Sequence, residues 1–360
     1  MKIAQVVNTL NVGGAEKVVV DTSMLFKQYS QQCDVIVLNA AKSIFGKELI
    51  ENQVKIVNIA ASNIYNPILI FKLVRILKQY DAVIVHLFPA QYWVAFARLL
   101  IPFKKIRLIT VEHSNNNRRR NSCILRIVDK FVYSIYDKVV SISQQTNLSL
   151  ITWLGLENRT DKFRVIRNGV DLSRINEAKT VCKEEFGVPS SAKIVMCVGR
   201  LEEVKNHMMQ FRALQLCDAN IHLVLVGDGS LRLSLEKAAR ELEINDRVHF
   251  LGIRNDIPGL LKSADIALLT SKWEGLSLAC VEGMAVCPFI GTDVAGIKDI
   301  IQNYGVLVPL DDEQALAEAI TELMKSAEYY DAVKTECRLR AEQFDIHQTV
   351  EQYLSLINEN

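Results

Sequence analysis

The chain has no Cys-x-x-Cys pair, no long uninterrupted apolar run, no Gly-x-Gly-x-x-Gly, no low-complexity tract and no short internal repeat. Each absence removes a class of protein. The eight cysteines, Cys33, Cys123, Cys182, Cys197, Cys217, Cys280, Cys287 and Cys337, are scattered. Neither a zinc site nor a redox pair is therefore expected, and this usage suits a reducing cytoplasm. Several of them sit inside apolar runs, where a free thiol behaves as a small hydrophobe. Without about 18 consecutive apolar residues no membrane span is expected. The opening residues MKIAQVVNTLNVGGAEK lack an apolar core with a small-residue cleavage site, so no signal peptide is expected. The missing dinucleotide fingerprint argues against a nicotinamide dehydrogenase.

What is present fits a folded two-domain chain. Its 360 residues are 49% hydrophobic and 23% charged, enough for two full cores and too apolar for disorder. The net charge of +1 hides an asymmetry. Residues 1–170 carry 23 Lys and Arg against 11 Asp and Glu, and the remainder 19 against 30. Drift in surface composition would give such a split. A first half that faces a phospholipid surface or a phosphate-bearing acceptor would give it too. Nucleic-acid binding finds no support beyond the basic half.

Short β-branched runs alternate with helical patterns. IAQVV, DVIVL, VKIVNI, AVIVHL, RLITVEH and KVVSIS read as buried parallel strands, with helices such as AEKVVVDTSMLFKQY between them. The helix PILIFKLVRILKQY is expected to begin at Pro67, a favoured first helical residue. A second series, AKIVMCVG, HLVLVG, VHFLG, IALLT and PFIGT, follows, and everything after about Glu313 reads as helix. Strand–helix alternation implies a parallel sheet covered on both faces. Two such series, joined near VIRNGVD (Val165 to Asp171), predict an α/β chain of two Rossmann-like domains.

Ligands of such sheets bind at the carboxyl ends of the strands, so the loops there carry the candidates. Gly13 and Gly14 follow the first strand, where a bare backbone can approach an anion at a helix start or simply turn. Arg200 and Lys205, in VGRLEEVKN, could clamp a diphosphate, one as a planar fork and the other as a point charge. In VGDGS, Gly227 and Gly229 suit a tight turn and Ser230 is a candidate helix cap. SKWEGLSLACVEGMAV sets Glu274 in a loop and Glu282 about one turn into a helix, with backbone N–H groups from Gly275 through Leu276 and Ser277 to Leu278 aimed at a ligand. Carboxylates accept strongly from sugar hydroxyls; the same charges would also serve as ordinary helix-start residues. The stretch FPAQYWVAF suggests exposed aromatics, and PFKKIR and NNNRRRNS add cations.

In this order, GGAE, GR with a downstream KN, GDG, and Glu274 with seven residues before Glu282 resemble the retaining nucleotide-sugar glycosyltransferases of family four, over nearly the whole chain. NGVD (Asn168 to Asp171) is similar to that family's interdomain segment, and LGIRNDIPGLL to its base-contacting region. The resemblance implies a GT-B fold, with two Rossmann-like domains facing across a cleft. It implies an acceptor-binding domain over 1–168, a donor-binding domain over 169–340, and a helix at 341–360 that packs back on the first domain. Gly13 and Gly14 would approach the donor phosphate. Arg200 and Lys205 would neutralise the diphosphate leaving group, Glu274 would bind the sugar hydroxyls and Glu282 the ribose hydroxyls, with Gly227 and Gly275 to Leu278 lining the donor site. Ile253 and Arg254 would lie against the base, and His113, in VEHS, would contact the sugar near the reacting carbon. His113, Arg200, Lys205 and Glu274 form the catalytic set so implied. The donor would be a UDP- or GDP-sugar and the acceptor a glycan or glycolipid. With no Asp-x-Asp, no metal or other cofactor is expected. Ser277 departs from many relatives and leaves the sugar open. The location implied is cytoplasmic, with peripheral contact at an anionic membrane and a role in surface polysaccharide synthesis. A nucleotide-sugar epimerase of the same fold and a two-domain sugar receptor are the competing readings.

Overall fold

The computed structural model describes residues 1–11, 13–39, 45–60, 62–114, 122–156 and 160–359. The chain divides into two compact units, Met1–Gly169 with Ile346–Asn360, and Val170–Asp345.

The first unit holds seven parallel strands: β1 Lys2–Val7, β2 Gln32–Val37, β3 Lys55–Asn58, β4 Ala82–His86, β5 Arg107–Glu112, β6 Lys138–Ser141 and β7 Phe163–Val165. Their order across the sheet is β3-β2-β1-β4-β5-β6-β7. The apolar runs exist because both faces are covered. Val7, Val35 and Val37 enter one apolar layer with Val19 and Leu49, whereas Val6, Ile36 and Val85 enter the other with Leu73 and Val94. Alternate residues of one strand thus serve opposite layers. The final helix, Ile346–Asn358, also packs on this unit. The Tyr29 hydroxyl donates to Glu351 (3.1 Å), Arg107 donates to the Leu356 carbonyl (3.2 Å), and Lys138 pairs with Glu359 (2.6 Å).

The second unit holds six parallel strands: β8 Lys193–Val198, β9 Ile221–Val226, β10 Val248–Gly252, β11 Ile266–Leu269, β12 Phe289–Thr292 and β13 Val306–Val308. Their order is β10-β9-β8-β11-β12-β13. Strands β7 and β13, of three residues each, escape a reading by pattern because so short a run shows no period.

Four sequence expectations are corrected. Asn66 accepts from the Ile68 amide (3.0 Å), which ties Pro67 into a turn, and the helix starts at Leu69. Ser230 does not cap: its hydroxyl donates to Glu202 (3.0 Å) and the next helix begins at Arg232. The aromatics of FPAQYWVAF are mostly not surface groups. All but Phe88 belong to the helix Ala90–Leu99, whose Tyr92 is buried with its hydroxyl donating to Asp129, while the Trp93 indole donates to the Ile64 carbonyl (2.7 Å). Only Phe88 among them is exposed. Finally, the run read as helix after Glu313 is three helices, Glu313–Lys325, Ala327–Glu342 and Ile346–Asn358, because Ser326 caps the second and the chain breaks again before Ile346. The basic run Arg118 to Arg120 lies outside the described residues. No described helix is long and apolar enough to cross a membrane.

Candidate functional site

In each sheet the strand order reverses once, between β1 and β4 in the first unit and between β8 and β11 in the second. At such a point the flanking connections leave to opposite sides and open a crevice at the carboxyl ends. The sequence candidates lie at these two places or one strand away, except Ile253 and Arg254, which follow β10, two strands from the switch point.

In the second unit, β8 runs into Gly199 and Arg200, and a short turn at Glu203–Lys205 carries Lys205. The Lys205 ammonium meets Glu274 Oε1 at 2.6 Å, and the Ser271 hydroxyl donates to the same oxygen at 2.7 Å. Residues read as separate, 69 positions apart, are therefore partners. Glu274 Oε2 takes no partner among the described residues, so one carboxylate oxygen is open to a further donor. The Arg200 side chain is exposed and takes no ion-pair partner among the described residues.

Groups that the sequence reading did not single out build this corner. The Thr270 hydroxyl donates to the Lys205 carbonyl (2.9 Å) and accepts from Gln210 (2.7 Å). The Lys272 amide donates to the Val204 carbonyl (2.8 Å), so the end of β11 is stitched to the Lys205 turn. Thr292 donates to the Ser271 carbonyl (2.7 Å). Buried His207 faces the Arg200 carbonyl through Nε2, and burial pulls its imidazole below the ordinary histidine range, which keeps it neutral beside Lys205. A Cβ on Gly199 would sit 3.2 Å from Lys205 Cε, so that glycine gives the lysine stem its room. Only Thr270 and Ser271, flanking an apolar strand end, left a trace in the pattern.

Gly227 has φ +139°, and a Cβ there would overlap the Gly199 carbonyl; only glycine lets β8 and β9 end so close together. The segment Gly275 to Leu278 leads into the helix Leu278–Met284, whose seven residues are fewer than the sequence suggested, with Glu282 partly buried on it. Ile253 is exposed. Arg254 is committed to a two-point pair with Asp256 (2.8 and 2.5 Å), which lowers the Asp256 carboxyl, so any contact of this segment with a base falls to its backbone or to Ile253.

In the first unit, Gly13 precedes the helix Gly14–Gln28 in extended backbone, and a Cβ on Gly14 would meet nothing within 4 Å. The Asn8 amide donates to the Phe88 carbonyl (2.8 Å) and its oxygen accepts from the Ala90 amide (3.2 Å), tying the end of β1 to the loop after β4. His113 follows β5 and lies 2.9 Å from His86 through their ring nitrogens. Among the described residues no group of three or more His, Cys, Asp or Glu could hold a metal ion.

Two units, each with a doubly wound parallel sheet, the second with charged loops at its switch point, define the GT-B class of enzyme. HepE of Anabaena, solved in complex with UDP and glucose, has the same fold, with TM-score 0.85 at 22% identity over 99% of both chains. The family model "Glycosyltransferase Family 4" matches residues 12–174 and "Glycosyl transferases group 1" matches residues 179–340. The chain belongs to the family four glycosyltransferases. Over its whole length it is 27% identical to 99% of a Campylobacter jejuni enzyme, the GalNAc-alpha-(1->4)-GalNAc-alpha-(1->3)-diNAcBac-PP-undecaprenol alpha-1,4-N-acetyl-D-galactosaminyltransferase. Over 44% of each chain it is 33% identical to the Escherichia coli UDP-Gal:alpha-D-GlcNAc-diphosphoundecaprenol alpha-1,3-galactosyltransferase. It is a glycosyltransferase, and the epimerase reading falls with that assignment.

Proposed function

We propose that the enzyme moves a sugar from a UDP- or GDP-sugar to a hydroxyl of a lipid-linked or growing surface glycan, retaining the anomeric configuration and using no metal. The observation that carries this reading is the Lys205–Glu274 pair at 2.6 Å beside the exposed Arg200, at the switch point of one sheet. The names of the two relatives above, both acting on undecaprenol-diphosphate glycans, support the acceptor class.

Chemistry follows from the charges. As the anomeric bond lengthens, negative charge grows on the leaving diphosphate and positive charge on the sugar ring. Arg200 and the two remaining protons of the Lys205 ammonium stabilise the former where it develops. Glu274, held through Oε1, uses Oε2 to take a sugar hydroxyl. Glu282 takes the ribose hydroxyls, Ile253 and the backbone of Arg254 lie against the base, and Gly227 and Gly275 to Leu278 line the donor. Gly13 and Gly14 approach the donor phosphate, and His113 meets the sugar near the reacting carbon. The leaving phosphate accepts the acceptor's proton on the face it departs from, so no enzymic nucleophile is required.

A thermal-shift panel of UDP, GDP and ADP, on wild type and Glu282→Ala, tests the donor. One nucleotide is expected to raise the melting temperature by a few degrees, since a ligand at 100 times its Kd adds about 2.7 kcal/mol, and the rise should vanish in the variant. No rise with any nucleotide would sink the reading.

A specific surface favours peripheral membrane contact and a cytoplasmic-face location. The helix Cys123–Ile135 buries Asp129, Val132 and Tyr133 on one side. On the other it exposes Ile124 (74%), Ile127 (73%) and Phe131 (50%), interleaved with exposed Arg126 and Lys130. Apolar groups at this spacing beside cations suit an anionic bilayer surface. Replacing the three apolar residues by Ser should lower binding to phosphatidylglycerol vesicles at least about tenfold. Equal sedimentation of variant and wild type would remove the membrane from the proposal.

A further inference from the structure

His113 belongs to a chain of hydrogen bonds that crosses three neighbouring strands. Gln5 lies in β1, His86 ends β4 and His113 follows β5. Gln5 is level with Ile84, and His86 with Val111. Each member therefore stands two residues further along than its neighbour's partner, on the same face of the sheet. His86 Nδ1 is 2.9 Å from His113 Nε2, and His86 Nε2 is 3.0 Å from Gln5 Oε1.

The far end fixes which atom holds each proton. Gln5 Nε2 faces the Val19 carbonyl (3.1 Å), Thr22 Oγ1 (2.9 Å) and Ser23 Oγ (2.7 Å). A carbonyl only accepts, and the Thr22 proton is already given to the Val18 carbonyl at 2.6 Å. The amide nitrogen must therefore point there, and the amide oxygen must face His86. His86 then carries its proton on Nε2, and its Nδ1 is a lone pair. That lone pair needs a donor, so His113 carries its proton on Nε2 as well. Burial keeps both rings neutral, pulling His113 down to about 4 and His86 well below the usual range, with His113 adding to the latter.

We propose that Gln5 and His86 are positioning residues that lock His113 as the Nε2–H tautomer, so that its Nδ1 accepts a hydrogen bond from a hydroxyl of the transferred sugar. The hydroxyl rests on the reading of His113 as the sugar-contacting residue; the tautomer does not. His113 Nδ1 has no partner among the described residues. A lone pair there accepts a neutral hydroxyl and repels a carboxylate, so the enzyme takes a sugar with a hydroxyl at that position and rejects the corresponding uronate.

With six histidines, the full chain labelled with 15N in the imidazole rings gives a spectrum that single substitutions assign. His86 and His113 are both expected as Nε2–H, and His113 as Nδ1–H would overturn the proposal. In Gln5→Leu the His113 signal should move toward a tautomer mixture and kcat/KM should fall about tenfold, the worth of one aligned hydrogen bond. His86→Phe, which removes the acceptor outright, provides the same reading if Gln5→Leu does not fold. An unchanged tautomer and rate in either folded variant would remove the positioning role. Full transfer by His113→Ala, with the wild-type spectrum as expected, would refute the sugar contact and leave the tautomer standing.

Discussion

Lys205→Met should lower kcat/KM by about 10³, the loss seen when a group that stabilises developing negative charge is removed. Met keeps the stem packed beside Gly199 and removes only the ammonium. The Lys205 and Glu274 side chains are 14% and 16% exposed, so the pair is largely shielded from water. The variant leaves Glu274 with the Ser271 hydroxyl as its remaining donor on Oε1, which should cost about 1–3 kcal/mol of stability. The two effects separate by measurement. Steady-state kinetics with the cognate nucleotide sugar reads the first, and thermal unfolding the second. Lys205→Arg retains the charge but not its placement, because a guanidinium is a wider, planar group; it should regain stability and recover only part of the rate. A Lys205→Met enzyme that is folded and within threefold of wild-type kcat/KM would show that the pair is structural. Glu274→Gln offers the complement: it keeps an oxygen for Lys205 and Ser271 and weakens the acceptor proposed for sugar hydroxyls.

Gly296→Ala should destabilise the second unit by about 2–4 kcal/mol and cut kcat about 100-fold. Gly296 has φ +86°, a region that side chains rarely adopt. A Cβ there would overlap the Glu274 carbonyl and lie 2.7 Å from the Gly275 carbonyl. Those atoms are backbone and cannot swing away, and the Glu274 amide is bonded to the neighbouring Ala295 carbonyl (3.4 Å). The strain therefore passes straight to the loop that aims the Glu274 carboxylate. Denaturant unfolding and single-turnover kinetics together check it. Gly14→Ala is the control for stability, since a Cβ there meets nothing within 4 Å, and it should leave the melting temperature unchanged. Wild-type stability and turnover in Gly296→Ala would mean that the loop can relax.

The residues themselves determined the layered α/β architecture. The runs at β1, β4, β8 and β9 are rich in Val, Ile and Leu, broken only by Gln5 and His222, because a parallel strand is buried on both faces, and that burial is written directly into composition. The loops with Arg200 and Glu274, and the helix start before Glu282, stood out for a related reason: charges and glycines interrupt an apolar pattern where a strand ends and the chain turns. Some features were misread for local reasons. Tyr92 and Trp93 looked exposed because their polar handles hide their burial; the Tyr92 hydroxyl had found buried Asp129 and the half-buried Trp93 indole the Ile64 carbonyl. Pro67 was displaced by an Asx turn that competes with the helix start.

Only the tertiary structure decided the pairings. Lys205 meets Glu274 because β8 and β11 are neighbours in the sheet although far apart in the chain. Gln5, His86 and His113 form one line for the same reason, through β1, β4 and β5. Gly296 matters through a carbonyl more than twenty residues away. Hydrophobic periodicity records which face of an element is buried, a property of each segment alone. Hydrogen-bond partners depend on strand order and register, which are set by how all the segments pack at once.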